Sequence, residues 1–295
     1  MYDVDILMIG HFAKDKLVID GTSEIAPGGA VYYGSVALRR IGVRVAVATR
    51  LHPDDFCFLS EMKTEGVQVF ATPAPETSGI ENIYPTADME RRICRPLSFA
   101  GPFSPQDIPD LRARIYLVAP IMAGEVDLPL LKSLAQRGPV ALDAQGFVRV
   151  REGDELVFRD WAEKAEALVT GTYLKLDHAE AEVLTGLTDV HAAARQIAAC
   201  GPREIMITHN GGVLVYAGEQ AHEATFTPRS MDGRTGRGDT CFATYLGRRL
   251  SAPPEGACRF AAAVTTLKME RPGPFRGTLA EVEVMMAQQS LAPES

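Results

Sequence analysis

The chain alternates short apolar runs with longer segments in which apolar residues recur every three or four positions. Residues 4–10 form an apolar run that ends in glycine, as a buried strand does. Residues 29–41 instead carry apolar side chains at helical spacing. Further strand-like runs lie at 44–48, 114–119, 140–143, 167–170 and 204–208. This alternation predicts an α/β fold, with a mostly parallel central sheet and helices on both of its faces.

Two segments depart from the alternation. Residues 16–20 and roughly 79–98 alternate polar and apolar side chains, which predicts strands of a small exposed sheet. Such a flap could close over a substrate and exclude water, although a plain surface hairpin has the same pattern. We therefore expect one domain over residues 1–295, with lid strands inserted at about 11–25 and 79–98.

The charge balance of the chain is acidic, since 30 Lys and Arg against 38 Asp and Glu give a net charge of −8. No basic stripe follows the sequence, so nucleic acid is not an expected partner. The acidic N-terminus enters a strand directly, unlike a signal peptide, and no apolar run is long enough to span a membrane. These features predict a cytoplasmic protein without a membrane partner. The scattered cysteines indicate neither a disulfide framework nor a zinc site.

A glycine-flanked carboxylate is the strongest candidate for chemistry. The segment Asp-Gly-Arg-Thr-Gly-Arg-Gly-Asp at 232–239 leads into residues 239–250, which have helical spacing. Gly236 and Gly238 can let main-chain N–H groups approach a ligand closely. A helix start also offers unpaired N–H groups and the positive end of the helix dipole, which suit a phosphate or oxyanion. Asp239 would stand beside that anion. A plain turn before a helix is the alternative interpretation.

Four short segments, spread over nearly the whole chain, form a recognisable set. They are Pro-Gly-Gly-Ala at 27–30, Asp-x-x-Glu at 177–180, Thr-x-x-Gly-Gly at 208–212 and Thr-Gly-Arg-Gly-Asp at 235–239. In this order they resemble the sugar-binding turn, the magnesium and phosphate segment, the nucleotide loop and the catalytic signature of the ribokinase-like family, the PfkB carbohydrate kinases. The resemblance implies a ribokinase-like three-layer fold with a small β lid, and phosphoryl transfer to an alcohol.

The resemblance also implies a role for each matching residue. The expected catalytic residues are Asp239 as the base, Gly236 and Gly238 as the anion hole, and Arg237 as an added cation. The expected acceptor-binding residues are Asp15, Gly28, Gly29, Ala30, Asp143 and Gln145. The expected nucleotide-binding residues are Thr208, Gly211, Gly212, Asp177, Thr235 and Ala262. Glu180 is expected to hold Mg²⁺, mainly through water, with ATP as co-substrate and a monovalent cation as a further candidate cofactor.

The chain departs from the family pattern at several positions. Arg237 stands where the family has an alanine, Gly233 where it has an acid, and Ala30 where it has a sugar-contacting asparagine. Asp-Ala-Gln at 143–145 and the Gly-Gly-Ala that ends at Ala30 resemble instead the inositol-kinase branch of the family. The departures therefore favour a pocket built for a cyclitol over one built for a furanose.

Three hypotheses follow for the function. The first is an ATP-dependent kinase that phosphorylates a hydroxyl of a sugar or cyclitol, with myo-inositol as a candidate acceptor. The second is a nucleoside kinase of the same family, because Phe12, Tyr32, Tyr33 and Tyr84 could form a slot for a base. The third is a non-catalytic ligand-binding protein with this fold. Exposed flap edges could also pair across a twofold axis, so a homodimer through the lid is a further hypothesis.

Overall fold

A large, mostly parallel sheet forms the frame of the protein. The computed structural model describes residues 1–19, 22–84 and 93–291. The strands in these ranges are β1 (Val4–Ile9), β2 (Ala13–Ile19), β3 (Thr22–Gly28), β4 (Val45–Leu51), β5 (Gln68–Pro73), β6 (Gly79–Tyr84), β7 (Ile93–Ser98), β8 (Ala113–Val118), β9 (Val140–Asp143), β10 (Arg149–Glu152), β11 (Glu155–Phe158), β12 (Tyr173–Asp177), β13 (Glu204–His209), β14 (Gly212–Ala217) and β15 (Gln220–Thr225). Nine of these described strands form one sheet in the order β15-β14-β13-β12-β9-β8-β1-β4-β5. All neighbours in it are parallel except β13-β14 and β14-β15.

Helices cover both faces of this sheet. In the described ranges they are α1 (Ala30–Arg40), α2 (Ser60–Thr64), α3 (Leu128–Arg137), α4 (Gln145–Val148), α5 (Lys164–Thr170), α6 (His178–Thr185), α7 (Val190–Ala198), α8 (Arg237–Arg249), α9 (Pro254–Met269) and α10 (Leu279–Leu291), with short 3₁₀ helices at Pro53–Leu59 and Pro105–Asp107. Among these helices, none is both long and apolar enough to cross a membrane.

The central strand β1 shows how the two helical layers are divided. Its side chains alternate between the faces of the sheet. Ile6 and Met8 join the core under α1, α8 and α9, whereas Leu7 and Ile9 join the core under α3, α5, α6 and α7. All four side chains are fully buried, which explains why the strand reads as a continuous apolar run. The predicted three-layer α/β fold is confirmed.

A smaller sheet stands apart from the large one, in the order β3-β2-β6-β7. Strand β2 pairs in parallel with β6, which comes from a distant part of the chain, and antiparallel with β3. Exposed and partly buried side chains alternate along β7, as expected for a sheet with one covered face. Residues 20–21 and residues 85–92, which fall within the predicted lid segments, lie outside the described residues.

The strand predicted at residues 167–170 is wrong. These residues end helix α5, where Ala167 and Leu168 are buried and Val169 is 72% exposed. An interior strand of a parallel sheet would bury all three. A four-residue apolar run is compatible with a strand or with a helix. Here the run is the end of a longer helical segment, α5. The strand of this unit is β12, which starts after Gly171 and has Lys175 at its centre.

Candidate active site

A cleft of about 890 Å³ opens at the carboxyl ends of the parallel strands, beneath the small sheet. Ligands of open α/β sheets bind at such strand ends. Most of the residues predicted from the sequence line this cleft, namely Asp15, Gly29, Ala30, Gln145, Asp177, Thr208, Gly211, Thr235, Gly236, Arg237, Gly238 and Asp239. The structure thus brings together segments that lie more than 200 positions apart in the sequence.

The loop before helix α8 is shaped by one glycine in particular. Gly236 has φ 81° and is the N-cap of α8. A Cβ atom there would lie 2.3 Å from Cγ of Tyr33, because the loop rests directly on that ring. Gly238 belongs to the helix, and a Cβ atom there would approach Cε of Lys175 to 3.3 Å. Only Gly236 therefore needs the left-handed conformation, while Gly238 keeps the space beside Lys175 open. We call residues 232–238 the anion loop.

Asp239 lies in the first turn of α8 and lines the cleft. Burial raises the pKa of this carboxyl group, and the nearby Asp143 carboxylate raises it further. Lys175 and Lys268 act in the opposite direction. A carboxylate with a raised pKa, held at a helix start, is well suited to accept a proton from a hydroxyl group.

Lys175 connects three of the acidic residues behind the cleft. Its Nζ atom lies 3.0 Å from Oδ1 of Asp143 and 3.8 Å from Oε2 of Glu180. All three side chains are almost completely buried. Burial alone would lower the pKa of Lys175, but the carboxylates of Asp143, Glu180 and Asp239 together raise it. The lysine therefore stays protonated. Asp143 and Glu180 do not line the cleft but stand one layer behind it.

One end of the cleft is built around Asp15 on β2. Its Oδ1 atom accepts a hydrogen bond of 2.9 Å from the main chain of Ile80 on β6, which fixes the carboxylate against the small sheet. Gly28 packs against the other oxygen, since a Cβ atom there would lie 2.3 Å from Oδ2 of Asp15. Gly29, with φ 87°, starts helix α1 and exposes the turn to the cleft. The predicted glycine turn thus positions the acid as well as the helix.

The other end of the cleft is formed by a tight turn and a capping box. Strands β13 and β14 are joined by Asn210 and Gly211 alone, which makes the predicted nucleotide loop a two-residue hairpin. Asp177 caps α6 through a 2.8 Å bond from the Glu180 N–H, and Oε2 of Glu180 accepts from the Asp177 N–H at 2.7 Å. The guanidinium of Arg234 donates to Oδ1 of Asn210 at 3.3 Å and so joins the anion loop to the hairpin.

Two predicted nucleotide-binding residues do not reach the cleft. Ala262 is fully buried on α9 in the core that α8 and α9 share, because the helix turns this face away from the cleft. Gly212 packs against β15, where a Cβ atom would lie 2.3 Å from the carbonyl oxygen of Ala224. Its glycine is explained by this strand contact.

Sequence reasoning missed four polar residues of the site. Lys175, Arg149 and Asn82 line the cleft and are almost fully buried, and Lys268 lies directly below the anion loop. Because the strand was misplaced at 167–170, the sequence did not reveal Lys175, a charged residue between two leucines at the centre of β12. A buried strand accommodates a lysine only when polar or charged groups pair with it. A lysine in an apolar strand therefore indicates a buried polar site.

Comparisons with known proteins agree with this geometry. Residues 1–278 match the family described as pfkB family carbohydrate kinase, whereas no curated protein matches the sequence. A pyrophosphate-dependent kinase in the ribokinase family, solved with a pyrophosphate analog and myo-inositol, is 38% identical with a TM-score of 0.88, over 95% of this chain and 99% of its own. A pyrophosphate-dependent myo-inositol-1 kinase is 37% identical with a TM-score of 0.88, over 96% of this chain and 99% of its own.

That second structure carries one Asn-to-Leu and one Ser-to-Leu substitution, which convert it into a myo-inositol-3 kinase. The Arabidopsis thaliana ribokinase complexed with ribose and ATP is 17% identical with a TM-score of 0.76, over 96% of this chain and 98% of its own, and it supports the fold alone. The family match over residues 1–278 accords with an anion loop and a carboxylate at a helix start. This chain therefore belongs to the pfkB family of carbohydrate kinases, phosphotransferases that act on a hydroxyl group.

Proposed function

We propose that this protein is a cyclitol kinase that transfers a phosphoryl group from pyrophosphate to a hydroxyl of myo-inositol or a closely related cyclitol. The observation that carries the proposal is the position of Asp239 and the anion loop. They lie in one cleft, between an acceptor end built around Asp15 and a donor end built around the β13-β14 hairpin. The relatives at 37–39% identity, which are pyrophosphate-dependent, support the choice of donor.

A cyclitol suits the acceptor end because polar groups surround it. Asp15, Asn82, Gln145 and Arg149 all line that end of the cleft. An ionised carboxylate accepts hydrogen bonds from two adjacent hydroxyl groups, and the guanidinium and amide groups can donate to others. Each hydroxyl of a ring can therefore find a partner.

A nucleoside acceptor is less well supported, since it needs an apolar slot for its base. Phe12 and Tyr32 are buried in the core and pack edge to face on one another. The Tyr32 hydroxyl donates to Oε2 of Glu61 at 2.6 Å, away from the cleft. Of the aromatic residues considered for such a slot, Tyr33 lines the cleft, but its ring already supports Gly236, and the side chain of Tyr84 lies outside the described residues.

The reaction follows from this arrangement. As the acceptor oxygen attacks phosphorus, its proton passes to the carboxylate of Asp239, the new O–P bond forms and the bridging P–O bond of the donor breaks to release phosphate. The N–H groups at the start of α8 stabilise the charge on the phosphoryl oxygens. Arg237, whose guanidinium lies over the Phe226 ring at 5.8 Å, lines the same space and can add a cation.

The donor end favours a small polyanion. Its lining is mostly polar, with His178, Thr188, His209, Asn210 and Arg234 around the two-residue hairpin. An adenine ring is usually held in an apolar or aromatic slot, which this lining does not offer. ATP, the donor expected from the sequence, is the second candidate, because a ribokinase from the same fold group has been solved with ATP and Mg²⁺.

Magnesium fits the residues at the donor end. Oε1 of Glu180 is buried without a hydrogen-bond partner, and the described residues contain no cluster of three or more metal-ligating acids, histidines or cysteines. A single carboxylate with water and donor phosphates is a common Mg²⁺ environment. Asp177, which lines the cleft, would hold the ion mainly through water, and Glu180 would support it from one layer behind through its bond from the Asp177 N–H. When bound, Mg²⁺ neutralises charge on the donor phosphates.

An assay of phosphate and ADP release tests the proposal and its alternatives together. Wild-type protein with Mg²⁺ is offered pyrophosphate or ATP, each with inositols, ketoses or nucleosides. We expect turnover with pyrophosphate and a cyclitol. Asp239→Asn should lower kcat by about 10²- to 10⁴-fold, the usual contribution of a positioned base. Asp110→Asn, at an exposed position outside the cleft, is the control that should retain activity.

Each other outcome of that assay has a clear meaning. Turnover with nucleosides alone would establish the nucleoside kinase, and ADP release without phosphate release would establish ATP as the donor. Ligand-dependent thermal stabilisation without turnover on any acceptor would favour a non-catalytic binding protein. Near-normal kcat in Asp239→Asn would exclude this residue as the base.

The hydroxyl that reacts should depend on Asn82. Its side chain lines the cleft from β6, and its Oδ1 atom accepts from Sγ of Cys94 on β7 at 3.4 Å. Asn82→Leu removes the polar group, so the cyclitol should rotate to place a different hydroxyl at Asp239. We expect the ratio of inositol phosphate isomers to change, as measured by ³¹P and ¹H NMR of the product. An unchanged ratio with unchanged KM would remove Asn82 from the acceptor site.

Replacing Glu180 should separate stability from activity. Burial raises the pKa of Glu180 from 4.5 to about 7, with Lys175 opposing the rise. The folded protein therefore binds this proton more tightly, and the free energy of unfolding falls as the pH rises from 4.5 to about 7. Glu180→Gln removes this loss and should raise the free energy of unfolding at pH 8 by up to about 3 kcal/mol. It should also lower kcat and raise the Mg²⁺ concentration needed for half-maximal rate.

Urea unfolding at pH 5 and pH 8 measures the first effect, and a Mg²⁺ titration measures the second. Glu182→Gln on the same helix is the matched control, because Glu182 is exposed and should change neither quantity. If Glu180→Gln and Glu182→Gln respond alike in both measurements, Glu180 neither carries the buried charge nor assists the metal.

A further inference from the structure

A lysine side chain lies buried directly beneath the anion loop. Lys268, in the last turn of α9, is 2% exposed. Its ammonium group donates hydrogen bonds to the main-chain carbonyl oxygens of Gly233 and Thr235. The anion loop therefore presents oxygen atoms to a cation on its lower side, while Gly236 and Gly238 line the cleft.

The loop is seated on the end of α9 with little freedom. The Gly233 N–H donates to the carbonyl of Met269 at 2.8 Å. A Cβ atom on Gly233 would lie 1.9 Å from the carbonyl oxygen of Arg271, so no side chain fits there. Consequently residue 233 contributes only its main chain, and the positive charge that meets its carbonyl comes from the lysine.

The same lysine is linked to other parts of the site. Its Nζ atom lies 5.0 Å from the centre of the Tyr33 ring, the ring on which Gly236 rests. Burial lowers the pKa of Lys268 to about 7, while the Asp239 carboxylate raises it and Arg276 lowers it further. The two carbonyl acceptors and the aromatic face all favour the charged ammonium. The ammonium group thus lies directly beneath the anion loop, held by two of its carbonyl oxygens.

Peptide geometry shows how this cation shapes the loop. In a trans peptide the C=O and N–H groups point in opposite directions. When the carbonyl of Thr235 is held on Lys268, the N–H of Gly236 must point away from the lysine. The bond from Lys268 to the Thr235 carbonyl therefore turns the Gly236 N–H, at the start of α8, into an orientation that suits an anion.

We propose that Lys268 is a positioning residue whose ammonium serves as the built-in cation of the anion loop, so that phosphoryl transfer needs no dissociable monovalent cation. Main-chain carbonyl groups that converge on one buried point are also the usual ligands of K⁺. Here the ammonium group of Lys268 occupies the point on which the carbonyls of Gly233 and Thr235 converge. This inference rests on the proposed kinase activity only for its rate measurements, because anion binding tests it independently.

The first test compares cations on the wild-type protein and on Lys268→Met. Replacing K⁺ by Na⁺ or tetramethylammonium should change the wild-type kcat by less than about twofold. Lys268→Met should lower kcat by at least about tenfold, because the loop loses its cation. Added K⁺ or NH₄⁺ should restore several-fold of that loss, whereas tetramethylammonium is too large to enter. Lys132→Met is the matched control, since Lys132 is half-exposed and pairs with Glu166 on the surface.

The second test measures the affinity for methylenediphosphonate, a pyrophosphate analogue that cannot be cleaved, by calorimetry. Lys268→Met should weaken binding at least about tenfold in tetramethylammonium buffer and recover part of it in K⁺. This arm decides the inference even if no acceptor is phosphorylated. Failure of the kinase proposal and failure of the cation proposal are thereby separate results.

Three results would overturn the inference. The first is a wild-type kcat or analogue affinity that falls more than about tenfold when K⁺ is removed. The second is a Lys268→Met protein with wild-type kcat and affinity. The third is a folded Lys268→Met protein, judged by its thermal melt, that no monovalent cation improves. If Lys268→Met does not fold, the cation dependence of the wild-type protein decides alone.

Discussion

The active site depends on burying several like charges close together without losing the fold. Parallel strands end at the same edge of the sheet, and this brings Asp143, Glu180 and Asp239 around one point. Three carboxylates in a dry interior would normally protonate or push the elements apart. Lys175 offsets part of this repulsion, with Nζ 3.0 Å from Asp143 and 3.8 Å from Glu180. Its ion pairs hold the three acids within one buried cluster.

Local patterns predicted the helical and sheet layers and the anion loop well, because each depends on residues that are close together in the sequence. The apolar runs identified most of the central strands, and Gly236 is required by its own φ and by the ring beneath it. The roles of Lys175 and Lys268 could not be predicted in this way. Each lysine depends on carbonyl or carboxylate groups from elements that are distant in the sequence. These contacts, and therefore the roles of the two lysines, exist only in the folded protein.

The proposed function divides the cleft into two regions with different roles. The anion loop and Asp239 would act on the phosphoryl group that moves and on the hydroxyl that receives it. The donor would be recognised further out, at the two-residue hairpin of Asn210 and Gly211. In this chain α9 turns Ala262 into the core and leaves that outer end polar. Changes there can alter the donor without disturbing the chemistry.

The pKa of the Asp239 carboxyl group is set by burial, by two nearby lysines and by one neighbouring acid. Burial and Asp143 raise its pKa, whereas Lys175 from the sheet and Lys268 from α9 lower it. Without the lysines the carboxyl group would hold its proton and could not act as a base. Without burial it would be too weak a base to draw a proton from a hydroxyl group. If Asp239 is the base, as proposed, its pKa is tuned by two lysines that lie outside the anion loop, Lys175 on β12 and Lys268 on α9.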